Sequence, residues 1–171
     1  MIANTLLTAA GSFGLESGAA MIEKGWREYH RCDGATNDVD MRDAGINCAI
    51  TIWHINDWMW AAIAKLGRRD AEIAKHLDVS GEKISKDDLV SWAVKNCPEL
   101  EICQAICNGS KHVALRGLKR TGMIASNDGA DREEKKLVVI EENNSQRSAL
   151  RVYLAALEFW THQATNFYAM K

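Results

Sequence analysis

Two short polar segments of the sequence carry the residue types that acid–base chemistry needs. The first centres on His54 and Asp57, which are three residues apart and therefore neighbours on one face of a helix. A carboxylate in that position can hold an imidazole in one tautomer, as it does for catalytic or metal-bound histidines. Trp53 and Trp58 flank the pair and complete a candidate binding surface. The alternative is that this face packs in a helical core and the pair is a satisfied polar contact.

The second segment begins at Asn108 and contains four Lys or Arg and no acidic residue between positions 111 and 120. Asn108 and His112 are four residues apart, so a helix would place them side by side. An amide, an imidazole that can titrate near neutrality and nearby cations can hold a phosphodiester and move protons around it. The candidate cations are Lys111, Arg116, Lys119 and Arg120. The alternative is a plain helix end, because Asn-Gly stops helices and Lys and His suit their negative ends.

The spacing Asn108-x-x-x-His112 at a helix end resembles part of the HEPN signature, in which an Arg, often followed by Asn, shortly precedes a His. Many HEPN domains are dimeric, metal-independent ribonucleases of toxin and phage-defence systems, and their motifs face the dimer interface. The resemblance implies a nucleic-acid-interacting module with His112 as acid/base residue and Asn108 positioning the phosphate. Cys107 stands where the family has its Arg, so Lys111 or Arg116 would replace that cation. An inactive relative that only binds has the same pattern.

Two other functions remain open. A non-enzymatic interaction protein, binding itself or another protein, would use the six tryptophans for packing and for a partner surface. A metal could also be held by histidines converging from several helices, namely His30, His54, His112 and His162. The chain has no His-Glu-x-x-His or Cys-x-x-Cys signature, so we predict neither a metal nor a cofactor. The chain is also broadly similar to uncharacterised bacterial and phage helical proteins, which implies no function, and whether it is an enzyme stays open.

The elements that position these residues are predicted to be mostly helices, because the chain has only one proline. Apolar residues at spacings of three and four predict helices over about 16–32, 39–66, 69–77, 85–96, 98–109 and from about 145 onwards. In the first helix, Glu28 is predicted to lie outside the apolar stripe. Asn144 or Ser145 is predicted to cap the last helix.

Asn127-Asp128-Gly129 is a strong turn signal, and the apolar run 137–140 follows it. Together they predict a β-hairpin from about 123 to 141. The predicted fold class is therefore all-α, a bundle of five or six helices with a small β-hairpin before the C-terminal helix. We expect one helical domain over residues 1–171, with residues 1–13 as a mobile arm.

Composition narrows the classes of partner and compartment. Lys plus Arg is 21 and Asp plus Glu is 23, so the chain is not a general polyanion binder, and RNA would need the local basic segment. Five cysteines without tight pairing predict a reduced, cytoplasmic protein. The most apolar window, 46–66, contains His54, Asn56 and Asp57, which argues against a membrane span. A homodimer is the commonest assembly and is expected here.

Overall fold

The computed structural model describes residues 14–66, 71–80, 83–110, 120–126, 134–140 and 145–169. Within these ranges the chain forms six helices and three strands. In chain order they are α1 (Gly18–Asp33), α2 (Asp38–Leu66), α3 (Ala71–His76), α4 (Lys86–Asn96), α5 (Glu99–Gly109), β1 (Arg120–Ser126), β2 (Glu134–Ile140), β3 (Gln146–Ser148) and α6 (Ala149–Ala169). This mostly helical architecture, with a hairpin before the C-terminal helix, confirms the predicted fold class.

Helix α2 is the axis of the bundle, because it contacts α1, α4, α5, α6 and β2. Asp38 and Asp40 lie in its first turn, where negative charge suits the positive end of the helix dipole. Apolar residues at spacings of three and four form one buried face of α2, at Cys48, Ile52, Ile55, Met59 and Ile63. Burial of this stripe fixes the rotation of α2, and with it the direction in which His54 and Asp57 point.

Gly45 and Gly25 permit close packing around the first half of α2. A Cβ atom at Gly45 would lie 2.5 Å from Leu137 Cδ1 of β2 and 3.5 Å from Cys32 Sγ of α1. A Cβ atom at Gly25 would lie 2.6 Å from Leu157 Cδ2 of α6. Real Cβ atoms essentially never approach another atom to 2.5–2.6 Å, so these two glycines let Leu137 and Leu157 pack closely against the α1–α2 pair.

The predicted hairpin is confirmed, since β1 and β2 pair antiparallel from Arg120↔Ile140 to Ser126↔Glu134. The prediction that Asn144 or Ser145 caps the last helix is wrong, because α6 begins at Ala149. Residues 146–148 instead form β3, which pairs antiparallel with β2 from Val138↔Ser148 to Ile140↔Gln146. Asn144 itself lies outside the described residues. Residues 146–148, which were expected to begin the last helix, therefore pair with β2 through backbone hydrogen bonds, and α6 begins after them.

One hydrophobic cluster includes buried residues from all six helices and from β2. One face of α6 is buried along its length, with apolar residues at the spacings of three and four that predicted this helix: Ala149, Tyr153, Ala156, Leu157, Trp160, Ala164 and Phe167. The prediction that Glu28 lies outside the buried stripe of α1 is wrong, because this residue is only 5% exposed. Its Oε1 atom accepts from Lys24 Nζ at 3.2 Å and from Arg31 Nη1 at 2.8 Å. These two cations compensate the buried charge.

Serine caps fix the starts of two helices. Ser17 Oγ accepts from Ala20 N at the start of α1, and Ser85 forms a reciprocal capping box with Asp88 at the start of α4. The predicted arm (1–13) and the predicted first residues of α3 (69–70) lie outside the described residues. Within the ranges that the structure describes, no helix is long and apolar enough to cross a membrane.

Candidate functional site

His54 and Asp57 form a direct contact in the middle of α2. His54 Nδ1 lies 2.9 Å from Asp57 Oδ2, as the three-residue spacing predicts. An ionised carboxylate only accepts, so Nδ1 carries the proton of the neutral ring and Nε2 keeps its lone pair. The two side chains are 38% and 45% exposed, so the pair lies at the edge of the core with an open side. This arrangement fits an oriented acid–base imidazole as well as a satisfied polar contact.

Lys86, the first residue of α4, binds the other oxygen of the same carboxylate. Its Nζ forms an ion pair with Asp57 Oδ1. Burial raises the pKa of the Asp57 carboxyl, but the hydrogen bonds from Lys86 and His54 outweigh it and hold this pKa below its ordinary value. The Ser85 capping box positions Lys86, because it fixes the backbone at the start of α4. Asp57 is therefore ionised at neutral pH and held between two cationic or proton-donating partners.

The free nitrogen of His54 faces Cys107 in the last turns of α5. His54 Nε2 lies 3.9 Å from Cys107 Sγ, and the thiol is fully buried. Ser110 Oγ donates to the carbonyl oxygen of Cys107 at 2.7 Å. This contact brings Cys107, the residue directly before the second polar segment, next to the first segment.

The remaining residues of the second segment are only partly described. Asn108 is exposed at the end of α5. The sequence continues directly from Ser110 into Lys111 and His112, which lie outside the described residues, as do Arg116 and Lys119. Arg120 is the first residue of β1, and its side chain is likewise outside the description. The predicted placement of Asn108 beside His112, and the basic patch, therefore stay predictions.

The two tryptophans assigned to the binding surface are packing residues as well. Trp53 and Trp58 are partly buried against the hydrophobic cluster. Trp58 Cβ would lie 3.9 Å from a Cβ at Gly18, so this tryptophan sits at the α1–α2 contact. The carbonyl of Trp53 accepts from Asn56 Nδ2 at 2.9 Å, a bond within α2. Among the described residues, neither indole forms a hydrogen bond with His54 or Asp57.

The histidines considered for a metal site form no cluster of metal ligands within the described residues, and His112 lies outside them. His30 is exposed on α1 and stacks on Trp26, with ring centroids 6.2 Å apart. His162 is exposed on α6. In residues 14–66, 71–80, 83–110, 120–126, 134–140 and 145–169, no three His, Cys, Asp or Glu side chains gather closely enough to hold a metal ion.

Sequence reasoning missed Lys86 and assigned no role to Cys107. Lys86 is 29 positions beyond Asp57, and the hydrogen-bonded contact between His54 and Cys107 spans 53 positions. Local periodicity carries no information on such pairs. The available signal for Lys86 was the Ser85 cap, which places the next residue in the first turn of a helix packed against α2.

Three helices thus contribute to one connected polar set: His54 and Asp57 from α2, Lys86 from α4 and Cys107 from α5. The set offers an imidazole with a fixed tautomer, an ionised carboxylate and a thiol. Such groups can transfer protons at an adjacent substrate. No family model, no curated protein and no solved structure matches this chain, so the candidate site is defined by its own geometry.

Proposed function

We propose that this protein is a HEPN-like, nucleic-acid-interacting module that cleaves RNA phosphodiesters without a metal ion, in a toxin or phage-defence setting. The contact between His54 Nε2 and Cys107 Sγ, at 3.9 Å, carries the proposal. It joins an oriented imidazole to the helix end from which the chain runs into Lys111 and His112. Two separate sequence features therefore support one site.

The chemistry follows from what cleavage of RNA at a phosphodiester requires. A base must take the proton of the ribose 2′-hydroxyl while its oxygen attacks phosphorus, and an acid must protonate the departing 5′-oxygen. His112 is the proposed acid/base residue, and His54 supplies a second imidazole whose Nε2 carries a lone pair. A thiol is only a weak hydrogen-bond donor, so Cys107 leaves this lone pair available. One imidazole can take the proton of the 2′-hydroxyl and the other can protonate the 5′-oxygen, so no metal-bound water is needed.

The remaining residues bind and orient the substrate. Asn108 is proposed to position the phosphate, and Lys111, Arg116, Lys119 and Arg120 to stabilise its negative charge as it increases in the transition state. Asp57 holds the His54 ring in one orientation, and the ion pair with Lys86 keeps that carboxylate ionised. A homodimer is the proposed assembly, as the resemblance implies.

A second candidate function is a non-enzymatic interaction protein. Five of the six tryptophans are only partly buried, at positions 26, 53, 58, 60 and 92. Partly exposed tryptophans are enriched at protein interfaces. This candidate predicts a partner surface and no cleavage activity.

Cleavage of labelled RNA by purified protein, with a chelator in excess, separates the two candidates. The proposal predicts chelator-resistant cleavage by the wild type and its loss in His112→Ala. His162→Ala is the matched control, because His162 is exposed on α6 and has no role in the proposed site, and it should cleave at the wild-type rate. Absence of cleavage by the wild type, or unchanged cleavage by His112→Ala, contradicts the proposal.

A further inference from the structure

Cys107 differs from the other four cysteines in the group that its sulfur faces. We propose that Cys107 is a reactive thiol, activated by His54 and Asp57, that forms a mixed disulfide with small disulfide molecules. Its sulfur lies 3.9 Å from an imidazole nitrogen, and that ring is oriented through its other nitrogen by a carboxylate. This modification does not require RNA cleavage, although it uses the same His54 ring, and it has its own test.

The other cysteines are in surroundings that keep the thiol protonated. Cys32 Sγ lies 3.6 Å from the carbonyl oxygen of Met41, and Cys97 Sγ lies 3.6 Å from Glu99 Oε2. Burial raises the pKa of both thiols to about 11, with the nearby carboxylates Asp33 and Glu99 adding to the effect. None of these neighbours can accept a thiol proton and become a compensating cation.

Cys48 and Cys103 are as deeply buried as Cys107, but neither is described in contact with an imidazole. Cys48 faces the carbonyl oxygen of Gly25 at 3.9 Å, and burial raises its pKa far above the ordinary range. Cys103 lies one helical turn before Cys107 on α5 and is completely enclosed, so burial raises its pKa strongly as well. Because the thiolate is the nucleophile, all four sulfurs should react slowly in the folded protein.

Cys107, His54 and Asp57 follow the order of a nucleophile, a base and an orienting acid. Nδ1 of the ring is held 2.9 Å from the carboxylate, so Nε2 is free to take the thiol proton. The imidazolium that results is stabilised by the ionised Asp57. The ring is 38% exposed, and Cys107 is two residues from the end of α5. The sulfur itself is fully buried, so a small disulfide reaches it when the end of α5 opens locally.

The reaction is balanced without a further reagent. His54 Nε2 accepts the Sγ proton, and the thiolate attacks one sulfur of the small disulfide. The new bond joins Sγ to that sulfur, the old sulfur–sulfur bond breaks, and the departing thiolate takes the proton from His54. The small disulfide is the oxidant, and one free thiol is released per protein.

The test treats the folded, full-length protein with 5,5′-dithiobis(2-nitrobenzoate) and, in parallel, with glutathione disulfide, and maps the adducts by peptide mass. The first equivalent should be found on Cys107, at least about tenfold faster than on any other cysteine. Cys107→Ala should abolish this phase. Cys103→Ala is the matched control on the same face of α5 and should leave it unchanged.

Two variants test the activation separately from access. His54→Gln should slow modification of Cys107 by about tenfold or more, since it removes the proton acceptor. Asp57→Asn should also slow modification of Cys107. Because Asp57 is partly exposed, this variant can replace His54→Gln if the latter does not fold, and circular dichroism verifies the fold of both. The proposal would be overturned if another cysteine were modified first, or if all five cysteines were modified only when the protein unfolds. It would also be overturned if the folded His54→Gln or Asp57→Asn protein were modified at the wild-type rate.

Discussion

Replacing Lys86 by methionine should raise the pKa of the Asp57 carboxyl and destabilise the fold slightly. Lys86 Nζ forms an ion pair with Asp57 Oδ1, while His54 occupies Oδ2. Together these partners outweigh burial and hold the pKa of Asp57 below its ordinary value. Methionine keeps most of the side-chain length and removes only the charge, so the carboxyl loses one of its two lowering partners.

The magnitude follows from the exposure of the pair. The Lys86 and Asp57 side chains are 48% and 45% exposed, so water screens their attraction and the pair contributes about 0.2–1 kcal/mol. Loss of this attraction should raise the pKa of Asp57, because one of the two hydrogen bonds that lower it is gone. A lowered folded pKa adds stability above the unfolded value of about 3.9, and that stability is lost as the pH falls through the folded pKa. The destabilisation should therefore be present at pH 7 and absent at about pH 2.

Nuclear magnetic resonance titration of the Asp57 carboxyl carbon measures the pKa directly, and a Lys86→Met/Asp57→Asn double-mutant cycle in urea measures the coupling. Lys95→Met is the matched control, because Lys95 lies at the other end of α4 and pairs with Asp78 at 3.6 Å. That control should leave the pKa of Asp57 unchanged. If the pKa of Asp57 were unchanged or lower in Lys86→Met, or if the coupling persisted at pH 2, the ion pair with Lys86 would not be what lowers this pKa.

Three further predictions concern the elements that hold the site, and urea unfolding measures each of them. Gly45→Ala should lower the free energy of unfolding, because the overpacking cost of about 1–3 kcal/mol against Leu137 outweighs the roughly 1 kcal/mol that alanine gains in helix propensity. Adding Leu137→Ala should remove that clash, so additive effects of the two substitutions would contradict this explanation. Ser85→Ala should cost about 1 kcal/mol through loss of the α4 cap, and no loss would show that the capping box is dispensable. Glu28→Gln should cost about 1–3 kcal/mol, since the buried charge of this residue binds Lys24 and Arg31, and a neutral effect would contradict that role.

The helices could be predicted because burial follows local spacing. The face of α2 from Cys48 to Ile63 and the face of α6 from Ala149 to Phe167 are one-sided stripes that only a helix can bury together. The Ser85 cap and the turn signal of the hairpin are equally local, and the start of α4 and the paired strands β1 and β2 are found where the sequence places them. The His54–Asp57 contact belongs to this class, because it spans a single helical turn.

The features that could not be predicted depend on partners far away in the chain. Glu28 is buried because Lys24, one of its partners, also donates to Thr51 on α2 at 2.6 Å, which ties the charged group to the neighbouring helix. Residues 146–148 form a strand because β2 offers an edge for pairing. Lys86 reaches Asp57 only after α4 has packed on α2. Each of these outcomes is decided by tertiary contacts, which a local pattern does not contain.

We propose that the His54 imidazole on α2 and the segment that follows α5 act as one RNA-cleaving site. Cleavage rates of His54→Gln, His112→Gln and the double variant, measured in chelator, test it most directly. Substitutions of residues that act as a unit have strongly non-additive effects on the rate, so the double variant should be about as slow as the slower single variant. Two independent effects that multiply in the double variant, or a His54→Gln protein that cleaves at the wild-type rate, would contradict it.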